Sequence, residues 1–561
     1  MRALTAPLYE LSEFEEIRKL LKKPGKYAAL TGCVESQKLH MAYGLSEGLR
    51  CRLIVTFSDQ RMKELQEDYR FYDRNTTCFP ARDVIFYQAD IHGNQLTKER
   101  IRCFRRMMEG RPFTVVTTFG SLLAPQIPLS VFRDNVITVS CNGSLDEKKM
   151  AEELVKLGYE NVYQVEAPGQ FSIRGGIIDI FDLTEENPYR IELWGDDVES
   201  IRSFDVQSQR SIEKLSSITI YPACELILTE EQLKKGMERI EKESKRFSEK
   251  LRKEFKTEEA HRVEEQMNTL KEEVFAYKSL ANLDGYVRYF YEDTVSFLNC
   301  LDVENSIVFL DEPARIREHA SAVELEFRES MSHRLEKGYI LPGQADFLYS
   351  VAEVTARMSA FRLASLAALD LKGGLLKPDW KADISAKSIS SYNNSFEALV
   401  SDLQRYKKNG YRVLLLSGSR TRAKRLAADL SEDGLTSFYT EDPDREIKPG
   451  EIMTFYGRVF RGFEYPLLKF AVISESDIFG AEKKKKKKKK QYEGRKINDF
   501  SELSVGDYVV HENHGLGIYQ GIEKVEVEKV VKDYIKISYR DGGILYVLAT
   551  GLDVIQKYAS A

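Results

Sequence analysis

Short apolar runs of strand length alternate with segments of helical period through the first 130 residues, break off, and resume at Ser306. The runs are Tyr27–Thr31, Arg52–Phe57, Val84–Tyr87 and Phe113–Thr118, and Gln60–Tyr72 and Leu96–Met108 are helical segments among them. Runs without polar alternation are buried on both faces, and strands separated by helices pair in parallel. The stretch therefore predicts an α/β sheet covered by helices. The alternation returns with Ser306–Leu310 and a helix over Glu312–Lys337. It continues from about residue 384 to 480 with Tyr411–Leu416, Arg420–Leu430, Ile452–Phe455 and Phe470–Ser474. A chain of 561 residues exceeds one core, and three to five domains are expected.

The intervening residues have another character. Gln170–Ile173, Ile177–Phe181, Tyr189–Trp194, Ser200–Phe204 and Ser217–Tyr221 read as strands. Gly175-Gly176, Glu186-Asn187-Pro188 and Gly195-Asp196-Asp197 read as turns, giving a small, mostly antiparallel α+β domain. From Thr229 to about residue 280 the chain is charged and helical. Thr229-x-x-Gln232 forms a capping box, and Leu233, Met237, Ile240, Phe247, Leu251 and Phe255 make a stripe. A long amphipathic helix or a helical hairpin satisfies this pattern, and a self-associating coiled coil is the alternative. Lys483–Lys490 is a run of eight lysines that repel one another and is expected to be a solvated linker. Beyond it, Tyr508–His511, Gly517–Ile522, Tyr534–Tyr539 and Ile544–Leu548 are short strands. Arg540-Asp541-Gly542-Gly543 is a hairpin signal, and the spacing fits a small SH3-like barrel.

Net charge is −5, so nucleic-acid binding by bulk charge is excluded and would need a local basic patch. The seven cysteines are widely spaced with no Cys-x-x-Cys pair, which suggests neither a zinc site nor a disulfide framework. No run reaches the roughly 20 apolar residues of a membrane helix, and Met1–Pro7 lacks a signal-peptide core. A cytoplasmic protein with reduced thiols and no membrane contact is expected.

The loop after the first strand is where a P-loop would stand, because backbone amides, a lysine and a hydroxyl together hold phosphates and magnesium. It reads Thr31-Gly32-Cys33-Val34-Glu35-Ser36-Gln37-Lys38-Leu39. Gly32 and Lys38 are in place, but Gln37 replaces the second glycine and Leu39 the hydroxyl. Glu35 puts negative charge where phosphates would lie, so Gly32, Glu35 and Lys38 are expected to mark a degenerate, non-binding loop. Ile307–Glu312 looks like a Walker B strand, yet without a P-loop it has no phosphate to work on. His511-x-x-His514 lacks a third ligand, and no metal is expected there. There is no nucleophile elbow and no persuasive acid–base pair, so no catalytic residue is assigned to this chain, and no cofactor.

Tyr189–Trp194 is the informative strand. Alternation puts Tyr189, Ile191 and Leu193 on the core face and Arg190, Glu192 and Trp194 on the other. Arginine and tryptophan on one solvent-side face are the residues that dominate binding hot spots, and Arg174 on a neighbouring strand can join them. The competing reading is a cation–π pair covering the sheet, and periodicity does not separate the two.

Ala167–Phe181, Asn187–Trp194 and Ser203–Ser211 are very similar to stretches of the bacterial transcription-repair coupling factors (Mfd). So are Gly462-Phe463-Glu464, Ile473–Gly480 and Val505–Tyr519, in the same order along the chain. The resemblance implies an α/β and α+β multidomain chain. Residues 1–130 begin a UvrB-like α/β domain with a degenerate P-loop, and an inserted β-rich UvrA-binding domain covers 131–225. A helical segment and the second part of the UvrB-like domain follow over 226–350. A further α/β domain covers 351–480, the lysine-rich linker 481–497, and a small SH3-like, CarD-type RNA polymerase interaction domain 498–561.

The resemblance places Arg174, Arg190 and Trp194 at UvrA-contacting positions. It also implies strand-edge pairing with the RNA polymerase β subunit around Glu512, Ile518, Tyr519, Leu545 and Tyr546. One departure is that Tyr546-Val547 is followed by Leu548-Ala549-Thr550, where the family has proline. The UvrB-like module of the family has lost its nucleotide site, and no long Tyr-rich insertion follows Gln88 that would clamp DNA. In the family a DNA translocase motor comes next, bringing ATP, magnesium and most of the DNA contact. A C-terminal domain of the family also masks the UvrA surface. Neither motor nor masking domain is expected within this chain, which reads as a monomeric adaptor rather than an enzyme.

Overall fold

The computed structural model describes residues 1–82, 93–276, 283–291, 293–371, 373–480, 494–496, 505–511, 515–527, 530–538, 544–548 and 555–558. The chain forms two compact units. One comprises Met1–Arg82 with Asn94–Ala481, and the described strands from Gly494 onward belong to the other.

The first unit is organised by a seven-stranded sheet. Its order is Trp380–Asp383, Tyr27–Thr31, Arg362–Leu366, Ser306–Asp311, Cys51–Thr56, Phe113–Thr118, Thr77–Phe79. Every neighbouring pair is parallel. Every residue of Phe113–Thr118, Ser306–Asp311 and Arg362–Leu366 is buried, as strands covered on both faces require. The four early strands and the three late ones thus close one sheet, and the chain from Phe119 to Asn305 leaves it. Arg362–Leu366 and Trp380–Asp383 lie in this sheet, beyond the limit at residue 350 expected from the sequence. Parallel pairing joins segments hundreds of residues apart, and no local pattern announces it. Val84–Tyr87, expected as a strand, lies outside the described residues; the three-residue strand Thr77–Phe79 was not expected.

The excursion carries a six-stranded sheet in the order Ser211–Leu215, Asp197–Phe204, Tyr189–Trp194, Ile177–Ile180, Gln170–Arg174, Glu160–Asn161. It is antiparallel except at its last pair. Arg174 and Ile177 pair across Gly175-Gly176, both at positive φ, a two-residue turn that side chains disfavour. Helices Glu230–Lys253 and Thr257–Lys271 then form a hairpin. The Thr229–Gln232 capping box is present, with Thr229 Oγ1 accepting from Gln232 N at 3.2 Å and Gln232 Oε1 accepting from Thr229 N at 3.0 Å. Met237, Ile240, Phe247 and Leu251 are buried as the stripe requires, but Phe255 is 93% exposed at the turn.

A second sheet of six strands covers Lys387–Ser388 to Phe470–Ser474, with a parallel centre and antiparallel Phe463–Tyr465 and Lys387–Ser388. It shares a core with the first sheet, where Leu30, Leu39, Phe309, Leu414, Phe463 and Phe470 are all buried in one cluster. His40 is fully buried at this seam. Its Nε2 lies 2.9 Å from the Leu4 carbonyl, which only accepts, so Nε2 carries the proton and Nδ1 accepts from Tyr465 Oη at 2.9 Å. Burial pulls the imidazole down to about 4, so it is neutral at pH 7.

In the second unit six antiparallel strands follow the order Gly494–Lys496, Ile555–Tyr558, Tyr508–His511, Gly515–Val527, Val530–Ser538, Ile544–Leu548. The Lys483–Lys490 run and the Arg540–Gly543 turn lie outside the described residues. Among the described residues no helix is long and apolar enough to cross a membrane.

Candidate functional surfaces

The loop after Tyr27–Thr31 turns at Gly32, whose φ of +66° suits glycine. A Cβ there would sit 2.8 Å from the Asp383 carboxylate. Thr31 Oγ1 also donates to Asp383 Oδ2 at 3.3 Å, so this acid lies against the loop. Helix Glu35–Leu45 follows, and Lys38 points from it into the protein. Its Nζ is 2.8 Å from Asp311 Oδ1 and 2.6 Å from Glu312 Oε1, and its side chain is 6% exposed. Arg61 Nε reaches Asp311 Oδ2 at 3.1 Å, Arg61 Nη1 reaches Glu35 Oε2 at 3.0 Å, and Thr56 Oγ1 donates to Asp311 Oδ2 at 3.0 Å. Burial opposes the charge of Asp311, but Lys38 and Arg61 outweigh it and hold the carboxyl below its ordinary range. Burial likewise opposes the charge of Lys38, and Asp311 and Glu312 raise its pKa in spite of it.

Glu312 takes φ +59°, a conformation non-glycine residues rarely adopt. The side chain so placed also accepts from Ala368 N at 3.0 Å. Gln37, in the place of the second glycine, donates through Nε2 to Tyr465 Oη at 3.0 Å. The loop therefore does not fit a nucleotide. Its lysine is committed to two carboxylates, Glu35 is committed to Arg61, and Asp383 faces the turn.

The exposed face of the inserted sheet is arranged differently. Directly opposed residues of an antiparallel pair share a face. The register Ser172–Asp179–Arg190–Arg202 and the register Arg174–Ile177–Glu192–Ser200 place Arg174, Arg190 and Glu192 together, with Trp194 beyond them opposite Asp197. The other face carries Phe171, Ile178, Ile180, Ile191 and Ile201, all buried. Asp179, 2% exposed, accepts from Arg190 Nε at 2.6 Å through Oδ1, and through Oδ2 from Arg190 Nη2 at 2.8 Å and Arg174 Nη2 at 3.1 Å. Arg190 also donates to Gln209 Oε1 at 2.9 Å and lies over the Phe204 ring at 4.3 Å. Arg190 is thus fixed by the cation–π contact and by the ion pair together. Arg174 is looser, with 39% of its side chain exposed and its guanidinium 5.6 Å from the Tyr163 ring. Trp194 is 80% exposed and Tyr163 85%. Sequence reasoning missed Asp179 and Tyr163; an acid between isoleucines in Ile177–Ile180 was the available signal.

In the second unit Leu545 and Tyr546 lie on Ile544–Leu548, a terminal strand of the sheet order, opposite Ile537 and Lys536. Ile518 and Tyr519 lie instead on the interior strand Gly515–Val527, with Tyr519 buried and an irregularity beside it. Glu512 and His514 lie outside the described residues, and among those described no cluster of metal-ligating side chains is found.

The geometry defines a multidomain α/β chain with one self-neutralised loop, an inserted sheet that bears an Arg–Trp face, and a separate antiparallel terminal sheet. The family described as the UvrB interaction domain matches residues 137–226, the segment holding the Arg–Trp face. The CarD-like/TRCF RID domain matches residues 503–559, most of the terminal sheet. The transcription-repair-coupling factor of Bacillus subtilis strain 168 is 33% identical over 491 residues, covering 87% of this chain and 41% of that protein. Those of Staphylococcus aureus strains MRSA252 and Mu50 are 27% identical over 566 residues, covering 100% of this chain and 47% of theirs. The chain is thus similar over its whole length to the N-terminal region of the transcription-repair-coupling factors, and spans less than half the length of these relatives.

Proposed function

We propose that this chain is the adaptor region of a transcription-repair coupling factor, joining UvrA of nucleotide excision repair to RNA polymerase stalled at a DNA lesion. The observation that carries the reading is the exposed face of the inserted sheet. Two arginines there share one buried carboxylate, and the looser of them, Arg174, stands partly exposed on a sheet face that also presents the exposed rings of Trp194 and Tyr163. Such a face suits an acidic partner surface with a pocket for an aromatic ring. The segment carrying it matches the UvrB interaction domain family, which supports a Uvr-protein partner.

The polymerase β subunit would add a strand to the edge at Ile544–Leu548, the terminal strand of the sheet among the described residues, where Leu545 and Tyr546 lie. The terminal module would close as a small SH3-like barrel of CarD type. ATP, magnesium and most of the DNA contact would belong to the translocase of the full-length family member. A UvrB-like ATPase is disfavoured by the commitment of Lys38 to Asp311 and Glu312. A regulator that binds polymerase alone, as CarD does, is the second reading, favoured by the terminal match.

Binding of UvrA by the purified chain decides between them. Arg174→Ala and Arg190→Ala should each weaken it about thirtyfold, equivalent to about 2 kcal/mol. No binding by the parent chain would leave only the polymerase reading.

A further inference from the structure

Helix Glu230–Lys253 ends in a Schellman turn. Lys256 N donates to the Leu251 carbonyl at 2.9 Å and Phe255 N to the Arg252 carbonyl at 3.1 Å. The residue after the cap of such a turn takes the left-handed conformation and is ordinarily glycine. Here it is Phe255, at φ +62°. A bulky side chain is disfavoured in that conformation, and the usual compensation would be packing of the ring. The ring is instead 93% exposed, the most exposed of the large apolar side chains among the described residues. The turn therefore holds a phenyl ring in solvent, and among the described residues no packing of the ring offsets the conformational cost.

The helix leading to this ring is locally basic. Lys242–Lys256 contains seven cations and three carboxylates, net +4, in a chain of net −5. Lys242, Arg246, Lys250 and Lys253 follow at spacings of four, four and three, which puts them along one exposed side of the helix, about one turn apart. Glu249 lies among them. Glu254 lies 3.9 Å from Lys250 and 3.6 Å from Lys256, and Arg252 is paired with Glu264 at 2.8 Å. Lys242, Arg246 and Lys253 make no ion pair among the described residues. Basic residues at a helix C-terminus answer the helix dipole, but that effect ends within the last turn and does not extend to Lys242.

A line of cations ending in an exposed aromatic ring is how proteins bind a nucleic-acid single strand: the cations follow the phosphates and a base stacks on the ring. A duplex offers the phosphates but hides the faces of its bases. We propose that the tip of this helical hairpin binds single-stranded DNA, with a base on Phe255 and the backbone along Lys253, Lys250, Arg246 and Lys242. This site is separate from the Arg–Trp face and does not depend on the adaptor reading.

The test is fluorescence anisotropy of the full chain with labelled oligothymidine and with a duplex of equal length. The Lys483–Lys490 run is present in every variant, so ratios between variants are read. Phe255→Ala should weaken oligothymidine binding about tenfold while leaving duplex binding unchanged, since base stacking on one aromatic is worth about 1–3 kcal/mol. Replacing Lys242, Arg246 and Lys253 together by alanine should flatten the slope of log affinity against log salt by about 2. Phe255→Gly should lose binding to the same extent as Phe255→Ala while raising the melting temperature, because glycine relieves the turn. The proposal is overturned if Phe255→Gly binds oligothymidine like the parent, or if the duplex binds as tightly and with the same response to Phe255. A ring that serves a protein contact instead would give the first of these results.

Discussion

The loop at Gly32–Lys38 and the face around Asp179 use the same residue types to opposite ends. In the loop, Lys38 and Arg61 meet Glu35, Asp311 and Glu312, and the cations point inward. Acid exceeds base, so nothing is left with which to attract an anion. On the sheet face Arg174 and Arg190 share the single buried carboxylate Asp179, and Arg174 keeps 39% of its side chain exposed. Glu192 is taken by Arg202 and Ser200, and Asp197 lies opposite Trp194, so the face is neutral as a whole and is set apart by an exposed guanidinium beside exposed rings. The difference teaches that arginine or lysine content does not make a binding site; what the cations keep exposed does, together with what stands exposed beside them.

Removing Lys38 should break this comparison most forcefully. A lysine awaiting phosphate could be lost without cost to the fold, whereas Lys38→Met leaves Asp311 and Glu312 short of a buried counter-charge. Urea denaturation should show a loss of about 3–5 kcal/mol, with the proposed UvrA binding unchanged at saturating chain. An undiminished midpoint would mean that the loop is not locked by its own charges.

Next in size is the pH response of the seam beside that loop. His40 has a folded pKa of about 4, below its ordinary 6.5. The unfolded chain therefore binds the extra proton first. The stability that the neutral ring gives is complete above pH 6.5 and is lost as pH falls towards 4, about 3 kcal/mol in total. Asp68 and Asp477, both pushed up to about 6 by burial, run the other way, stabilising as they take up protons over the same range. Melting curves of the parent and of His40→Gln should therefore converge as the pH is lowered, and a gap independent of pH would refute the neutral assignment.

The smallest effect sharpens the comparison from the other side. Trp194→Ala removes an 80% exposed ring and should change stability by less than about 0.5 kcal/mol. The proposed affinity for UvrA should nonetheless fall, by the same titration used for the arginines. A large loss of stability would show that Trp194 belongs to the fold.

Much of this was legible in the sequence because it is written in local patterns. The apolar runs became the strands Tyr27–Thr31, Cys51–Thr56 and Phe113–Thr118. Period-two alternation put Arg190, Glu192 and Trp194 on one face, and Thr229 with Gln232 marked the helix start. Ser211–Leu215 was missed because its side chains are exposed or half-buried and carry no apolar signal. Asp179 was missed because its role depends on which strands lie beside it, a matter of register. Phe255 was counted in the apolar stripe because heptad spacing cannot tell the last turn of a helix from the bend after it.

Strand Tyr27–Thr31 takes both of its lateral partners, Arg362–Leu366 and Trp380–Asp383, from the far end of the first unit. At about 5–20 residues per second, a ribosome needs roughly 20–70 s to travel from the one to the others. Throughout that interval the newborn segment has emerged with neither edge satisfied, while the inserted sheet, whose strands are neighbours in the chain, can already close. The polypeptide must therefore assemble its middle before its beginning, and the nascent N-terminal strand is where a chaperone would have the longest opportunity to bind.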